Sequence, residues 1–223
     1  MITKPVLDFL KDLTENNNRE WFADNKKAFQ ANDALAKSFF NEVYEELRKL
    51  DSIDKMQIFR IYRDIRFSKD KTPYKNHFSV WFSRTKPALR GSYYLHIQPG
   101  GNSFMEGGFW EPDAPDLLRI RKEFEMDDSE IKSITSHPKF IEYFGALRGE
   151  GVKTSPKGFD KDHPAIELIK KKQFLLVRNF TDKEVLSKNF KEEVIATFEA
   201  MRPFFDYMSD VLTTNLNGES IIE

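Results

Sequence analysis

The chain has 223 residues, a formal charge of -1 from 35 basic and 36 acidic side chains, and 39% hydrophobic residues that include 21 phenylalanines. One domain of that length buries roughly 70 to 75% of its unfolded surface and needs no staples, so a ring-filled core is expected. The lack of cysteine removes disulfides, zinc–thiolate sites, iron–sulfur clusters and cysteine nucleophiles together, and a charge near zero disfavours wholesale electrostatic binding to nucleic acid.

Thr3 suits a helix cap with Pro5 in the first turn, and Val6, Phe9, Leu10 and Leu13 give an i, i+3, i+4, i+7 stripe. This opening carries acids and no unbroken apolar run, and no window approaches the ~20 apolar residues that cross a bilayer. The expectation is a cytoplasmic protein with no membrane association. Asn16 to Asn18 breaks the helix and caps a long second one, whose apolar face of Phe22, Phe29, Ala36, Phe40, Val43, Leu47 and Leu50 reaches Asp51. Its near-heptad spacing suits a coiled coil or packing across a sheet. The charges do not alternate as coiled-coil flanks do, which favours the sheet.

From Gln57 the period drops to two, predicting strands at 57–67, 77–84, 92–98 and 103–110. Phe59, Ile61, Ile65, Phe78, Val80, Phe82, Tyr93, Leu95 and Ile97 supply one apolar face. The other face collects Arg60, Tyr62, Asp64, Arg66, His77, Ser79, Trp81, Tyr94, His96 and Gln98, richer than solvation alone requires. Arg63 falls on the apolar side and calls for a carboxylate, with Asp160 and Glu106 as candidates, or for a bulge that turns it into a cleft. Of the paired glycines, Gly100-Gly101 and Gly107-Gly108, one pair suits a hairpin turn. The other marks a bulge beside Trp110 or a close approach to the backbone.

Helices are predicted at 117–124, 129–136 and 138–144, followed by a glycine-rich irregular segment. Asp162 or His163, with Pro164, then caps a short helix holding Ile166 and Ile169. A fifth strand is predicted at 173–180, and a long Phe-rich helix over 189–212 carries Pro203 inside it. The reading is a single α+β domain over 1–212, with a flexible tail at 213–223. Its sheet is mostly antiparallel, of about four to five strands, with helices packed on one face.

The chemistry concentrates between Arg60 and His77, where Arg60, Arg63, Arg66, Lys69, Lys71 and Lys75 face only Asp64 and Asp70, an excess of four positive charges in a chain of -1. Thr72-Pro73 suits a cap and first helical position, so Tyr74 and Lys75 would sit on a turn with free N–H groups. Charge-assisted bonds of ~1.5 to 3 kcal/mol each would then hold a phosphate or carboxylate. The expected anion contacts are Arg63, Arg66, Lys69, Lys71, Tyr74, Lys75 and Lys157, with His96 as acid or base beside Asp160 or His77. The histidines, His77, His96, His137 and His163, are scattered, and capping explains Asp162 and His163 better than metal binding does. No metal site and no cofactor is assigned.

RDIRFSKDKTPYKNHF, SYYLHIQPGGNSFMEGGFWEP and PKGFDKDHPAIELIKKKQF, in that order after NNNREWFADNKKAF, resemble the domain of unknown function 2461 family over nearly the whole chain. The resemblance implies an α+β single-domain protein and no established activity. The chain departs from the family pattern at Glu106, where glycine is common, which narrows any pocket there. Three functional readings follow. The first is binding of, or catalysis on, a small phosphorylated or carboxylated compound. The second is an interaction module whose sheet face meets a partner or a second copy, the oligomeric state being unassigned. The third is nucleic-acid binding through Tyr62, Trp81 and Tyr94 beside the basic loop, ranked last because the rest of the chain is acidic.

Overall fold

The computed structural model describes residues 1–222. Helix α1 (Lys4–Glu15) buries Val6, Phe9, Leu10 and Leu13, the stripe read from the sequence. Asn18 accepts a hydrogen bond from the Trp21 N–H and starts α2 (Arg19–Asp24), and α3 (Lys26–Leu50) follows after a break at Asn25. Helix α3 packs against α1 and the sheet, as its charge pattern predicts.

Five strands form one antiparallel meander in chain order: β1 (Ile53–Ile58), β2 (Phe78–Arg84), β3 (Ser92–Ile97), β4 (Ser103–Phe109) and β5 (Phe174–Phe180). Between β4 and β5 run α4 (Ala114–Met126), α5 (Ser129–Ser136), α6 (Pro138–Phe144) and α7 (Ile166–Ile169). After β5 come α8 (Asp182–Val185) and α9 (Phe190–Thr213), with Pro203 inside α9. Residues 214–222 fold back as a small hairpin: Thr214 bridges Ser220, and the Arg119 guanidinium donates to the Thr214 and Asn215 carbonyls.

The period-two reading places side chains correctly in β2, β3 and β4. Phe78, Val80, Phe82, Tyr93, Leu95, Ile97 and Met105 are buried toward the helices. Each such fully buried side chain contributes about 1.5 to 3 kcal/mol. The first strand differs from expectation: it begins at Ile53 and stops at Ile58, and residues 59–77 form an irregular arm instead of the end of a strand over 57–67.

Arg84 is the unexpected member of the helix face, with none of its surface exposed. Its Nε lies 2.8 Å from Asp51 Oδ2, off the line of a good hydrogen bond, and its Nη2 donates to Asp206 Oδ1 at 2.6 Å. Tyr93 Oη donates to Asp51 at 2.5 Å, and burial, with the Asp51 charge added, raises the phenol well above its usual range. Removing one partner of such a pair strands the other in a dry site. Arg84→Met is therefore expected to lower stability by about 3 to 5 kcal/mol in urea unfolding. Adding Asp51→Asn should recover part of that loss, and additive losses would contradict the coupling.

Gly107 and Gly108 answer to close approach. A Cβ at Gly107 would sit 2.5 Å from Met201 Sδ, and one at Gly108 would sit 2.1 Å from the Phe174 carbonyl oxygen. A methionine tip can move aside and a strand backbone cannot. Gly107→Ala is expected to cost about 1 to 3 kcal/mol, and Gly108→Ala distinctly more. Equal unfolding midpoints for the two variants would refute that ranking.

Candidate functional site

The arm between β1 and β2 folds back on itself. Arg63 N–H donates to the Pro73 carbonyl at 3.0 Å, Lys75 N–H to the Ile61 carbonyl at 2.7 Å, and Tyr62 bridges Tyr74. Two of its cations find carboxylates locally. The Arg63 guanidinium donates to Asp70 and to the Thr72 hydroxyl, so its partner is neither Asp160 nor Glu106 as the sequence suggested. The near acid wins because the arm closes over a short loop, while Glu106 stands on the sheet. Arg66 grips Asp64 at 2.6 Å, and Lys71 Nζ donates to the Ile65 carbonyl at 2.9 Å.

The helical turn expected at Thr72-Pro73 is absent. Asp70 Oδ1 takes the Thr72 N–H at 2.9 Å instead, and that bond, with Arg63 and the Thr72 hydroxyl, holds the Asp70 carboxyl down at about 2. Tyr74 is buried, with its ring 3.9 Å from that of Phe22 and its backbone tied to Asn17. Tyr62 joins this ring group and not the aromatic row of the sheet. Lys69 is exposed at the tip, as is Phe67, 95% of whose surface is open.

The sheet face away from the helices brings together a different set of predicted residues. Register places Ser79 opposite His96 and Trp81 opposite Tyr94, with Glu106 across from Tyr94 on β4. His77, just before β2, lays its ring 4.0 Å from that of His96, which stacks at 4.5 Å on Phe104. His96 Nε2 faces Gln98 Oε1 at 2.8 Å and Nδ1 faces Tyr94 Oη at 3.2 Å. With a carbonyl oxygen on one side, Nε2 carries the proton and Nδ1 accepts from the tyrosine. Lys75 rests over Phe59 at 5.1 Å, and Phe59 meets Tyr94 edge-on at 6.1 Å.

Desolvation perturbs this whole group. Burial lowers His77 to about 3, with His96 and Lys75 adding to the effect. Burial also lowers His96 and Lys75 and raises Tyr94 and Glu106. Five shifted titratable groups on one sheet face mark a candidate site. Among the described residues, no hydrogen bond or ion pair links Lys75, His77 or His96 to a carboxylate. The sequence reading found the histidines and Lys75 and used Glu106 only as a partner for Arg63; its even place in β4, level with Tyr94, was the available signal.

Two clefts of about 360 Å³ each flank this row. One lies beyond Gln98 and Asn76, and the other lies between Trp81 and Trp110. Lys157 and Asp160 are exposed on the segment before α7, where Lys122 covers Phe159 at 4.7 Å. Asp160 there accepts the Asp162 N–H and His163 Nδ1 accepts the Ala165 N–H, but Ala165 stands at the start of α7 with no side-chain cap. The cap expected from Asp162 or His163 does not form, because these groups close the turn ahead of the helix instead. Among the described residues, no three histidine, aspartate or glutamate side chains group as a metal site, and no helix is long and apolar enough to cross a membrane.

No curated protein and no solved structure matches the chain. The sequence model of the conserved hypothetical protein family DUF2461 matches residues 5–207, the span that holds the arm, all five strands and the histidine pair. The chain belongs to that family.

Proposed function

We propose that the chain binds a small anionic compound on the open face of its sheet, with Lys75, His77 and His96 on the anion. One observation carries this reading: three nitrogen-bearing side chains stand together, half-buried or more, with no carboxylate paired to them, while Arg63 and Arg66 already have theirs. Burial disfavours the charged forms of all three, and a bound anion restores them. A phosphate or carboxylate would therefore gain from the site what water gains from an exposed lysine. Glu106, pushed toward its protonated form beside Tyr94, is the group placed to give or take a proton. In this reading the arm's arginines and Lys71 shape the loop, and Lys157 and Asp160 stand apart from the anion.

An interaction module that meets its partner at the arm tip, instead of at the sheet face as the sequence suggested, has one specific observation behind it, the fully projecting Phe67 among the cations there. The two readings use different residues and separate cleanly. Sulfate, whose charge is constant across the range, is expected to raise the melting temperature more at about pH 5.5 than at about pH 7.5, because binding draws protons onto the histidines. Lys75→Met and His96→Gln should lose that increment, whatever they do to the starting melting temperature. Arg66→Ala with Lys71→Ala should keep it, as should Phe67→Ser. Equal stabilisation of parent and Lys75→Met would overturn the proposal, and loss through the arm variant alone would move the anion to the arm.

The free protein gives a second expectation. A histidine held near 3 when folded and near 6.5 when unfolded leaves the folded state short of a proton between those values. His77 thus costs stability as pH falls below about 6.5, with a slope of at most ~1.4 kcal/mol per pH unit, reduced by its partial exposure. Above about pH 4.5 this window is clear of Asp70, and the Glu106 contribution cancels between parent and variant. The stability difference between parent and His77→Gln should shift in the variant's favour as pH drops from about 7 to about 4.5. A difference that stays flat would return His77 to an ordinary exposed ring.

A further inference from the structure

At the end of the open face away from the histidines, a cleft of about 360 Å³ opens between Trp81 of β2 and Trp110 of the turn after β4. Its floor is one row across three strands, Ser83 opposite Ser92 and Ser92 opposite Gly108, with nothing larger than a hydroxymethyl group. Packing on the other side locks this low floor. A Cβ at Gly91 would meet Phe205 at 2.9 Å, and one at Gly108 would meet the Phe174 carbonyl at 2.1 Å. Trp110 leaves 54% of its surface in water, a cost for so large a ring unless something covers it.

The chain leaves both indoles to a ligand. Trp21 packs on Phe9, whereas Trp81 and Trp110 meet no other ring among the described residues. Cations of the chain lie over Tyr44, Phe59, Phe67, Tyr143, Phe159, Phe180 and Phe205. Among the described residues none lies over Trp81 or Trp110, although Lys86 and Arg90 line the same cleft. The negative face of an indole attracts a cation more strongly than any other side-chain ring does.

The charges agree in sign. Lys86 and Arg90 stand against Glu111, Asp113 and Asp116, so the lining sums to -1. Its carboxylates are unevenly available. Asp116 is held by Arg90, and Asp113 caps α4 by accepting the Asp116 N–H at 2.8 Å. Glu111 is exposed and has no partner among the described residues. A primary ammonium brings three N–H donors and a firmly held water shell, and it finds too few open acceptors here. A quaternary ammonium has no N–H to satisfy, so ring faces and net charge are enough.

We infer that this cleft binds a quaternary ammonium group against Trp81 and Trp110, with Glu111 as the open opposing charge. The site shares no residue with the anion reading and stands apart from it.

The chain has three tryptophans, so Trp21→Phe leaves emission from the two cleft indoles alone. In that background choline chloride, set against sodium chloride at equal ionic strength, should change the emission saturably. Dimethylbutanol, its neutral tert-butyl isostere, should bind roughly twofold to thirtyfold more weakly, the range for a cation on an aromatic ring. Ethanolamine, with a primary ammonium, should also bind more weakly than choline. Trp110→Ala, at an exposed position, should weaken choline over that same range with Trp81 as reporter, and Trp110→Phe should fall between. Glu111→Gln should weaken choline and leave dimethylbutanol unchanged. No saturable change with choline, or one untouched by Trp110→Ala, overturns the inference. Equal binding of dimethylbutanol overturns the role of charge, and equal binding of ethanolamine overturns the quaternary class. Self-association that Trp110→Ala abolishes, with no choline binding, gives the cleft to a second copy and overturns the inference as well.

Discussion

The fold depends on one buried cation. Arg84 closes β2 with no exposed surface, and around it meet Asp51 at the end of α3, Asp206 and Ser209 of α9, and the Arg90 carbonyl of the β2–β3 loop. Taking a guanidinium and a carboxylate out of water costs several kcal/mol per ion, so the site holds only while all of its partners stay in register. That requirement ties the two long helices to one end of the sheet. Tyr93 on the neighbouring strand shares Asp51, which extends the tie across two strands.

A sheet fastened so firmly on one face leaves the other free for chemistry. With the helices on the side of Phe82, Leu95 and Met105, the opposite side chains of β2 to β4 need no partner for stability. The open row still holds a histidine pair, a lysine, a glutamate and a tyrosine whose charged forms burial disfavours. Groups kept in such forms sit at a standing cost, and a ligand that relieves it gains affinity. The arm contrasts with this row. Arg63 and Arg66 are held by Asp70 and Asp64 within the same loop, so two of its six cations are paired with a carboxylate before any ligand arrives.

Much of this was legible in the sequence. Period-two runs placed β2 to β4 within a residue or two, the segment 173–180 placed β5 as closely, and Phe78, Val80, Phe82 and Leu95 fell on the buried side as read. The same parity already put Arg84 among them, a signal that went unused. Alternation misled at 59–67, because hydrophobic spacing cannot see that Arg63 finds Asp70 and Thr72 by folding back. Charge counting likewise singled out the basic stretch but could not tell paired cations from unpaired ones. The set that converges, Lys75, His77 and His96 with Glu106, is spread over the arm, β3 and β4, and strand register alone brings it together. The Trp81–Trp110 cleft was invisible for the same reason, since a strand residue and a turn some thirty positions later meet only through that register.

The most direct test is nuclear magnetic resonance of the histidine ring nitrogens during a pH titration, with and without sulfate. The account predicts that His77 stays neutral well below the ordinary histidine range in the free protein and that His96 titrates below that range, with its proton on Nε2. It also predicts that sulfate moves both titrations upward. Ordinary titration near 6.5 by both rings, unmoved by sulfate, would contradict it.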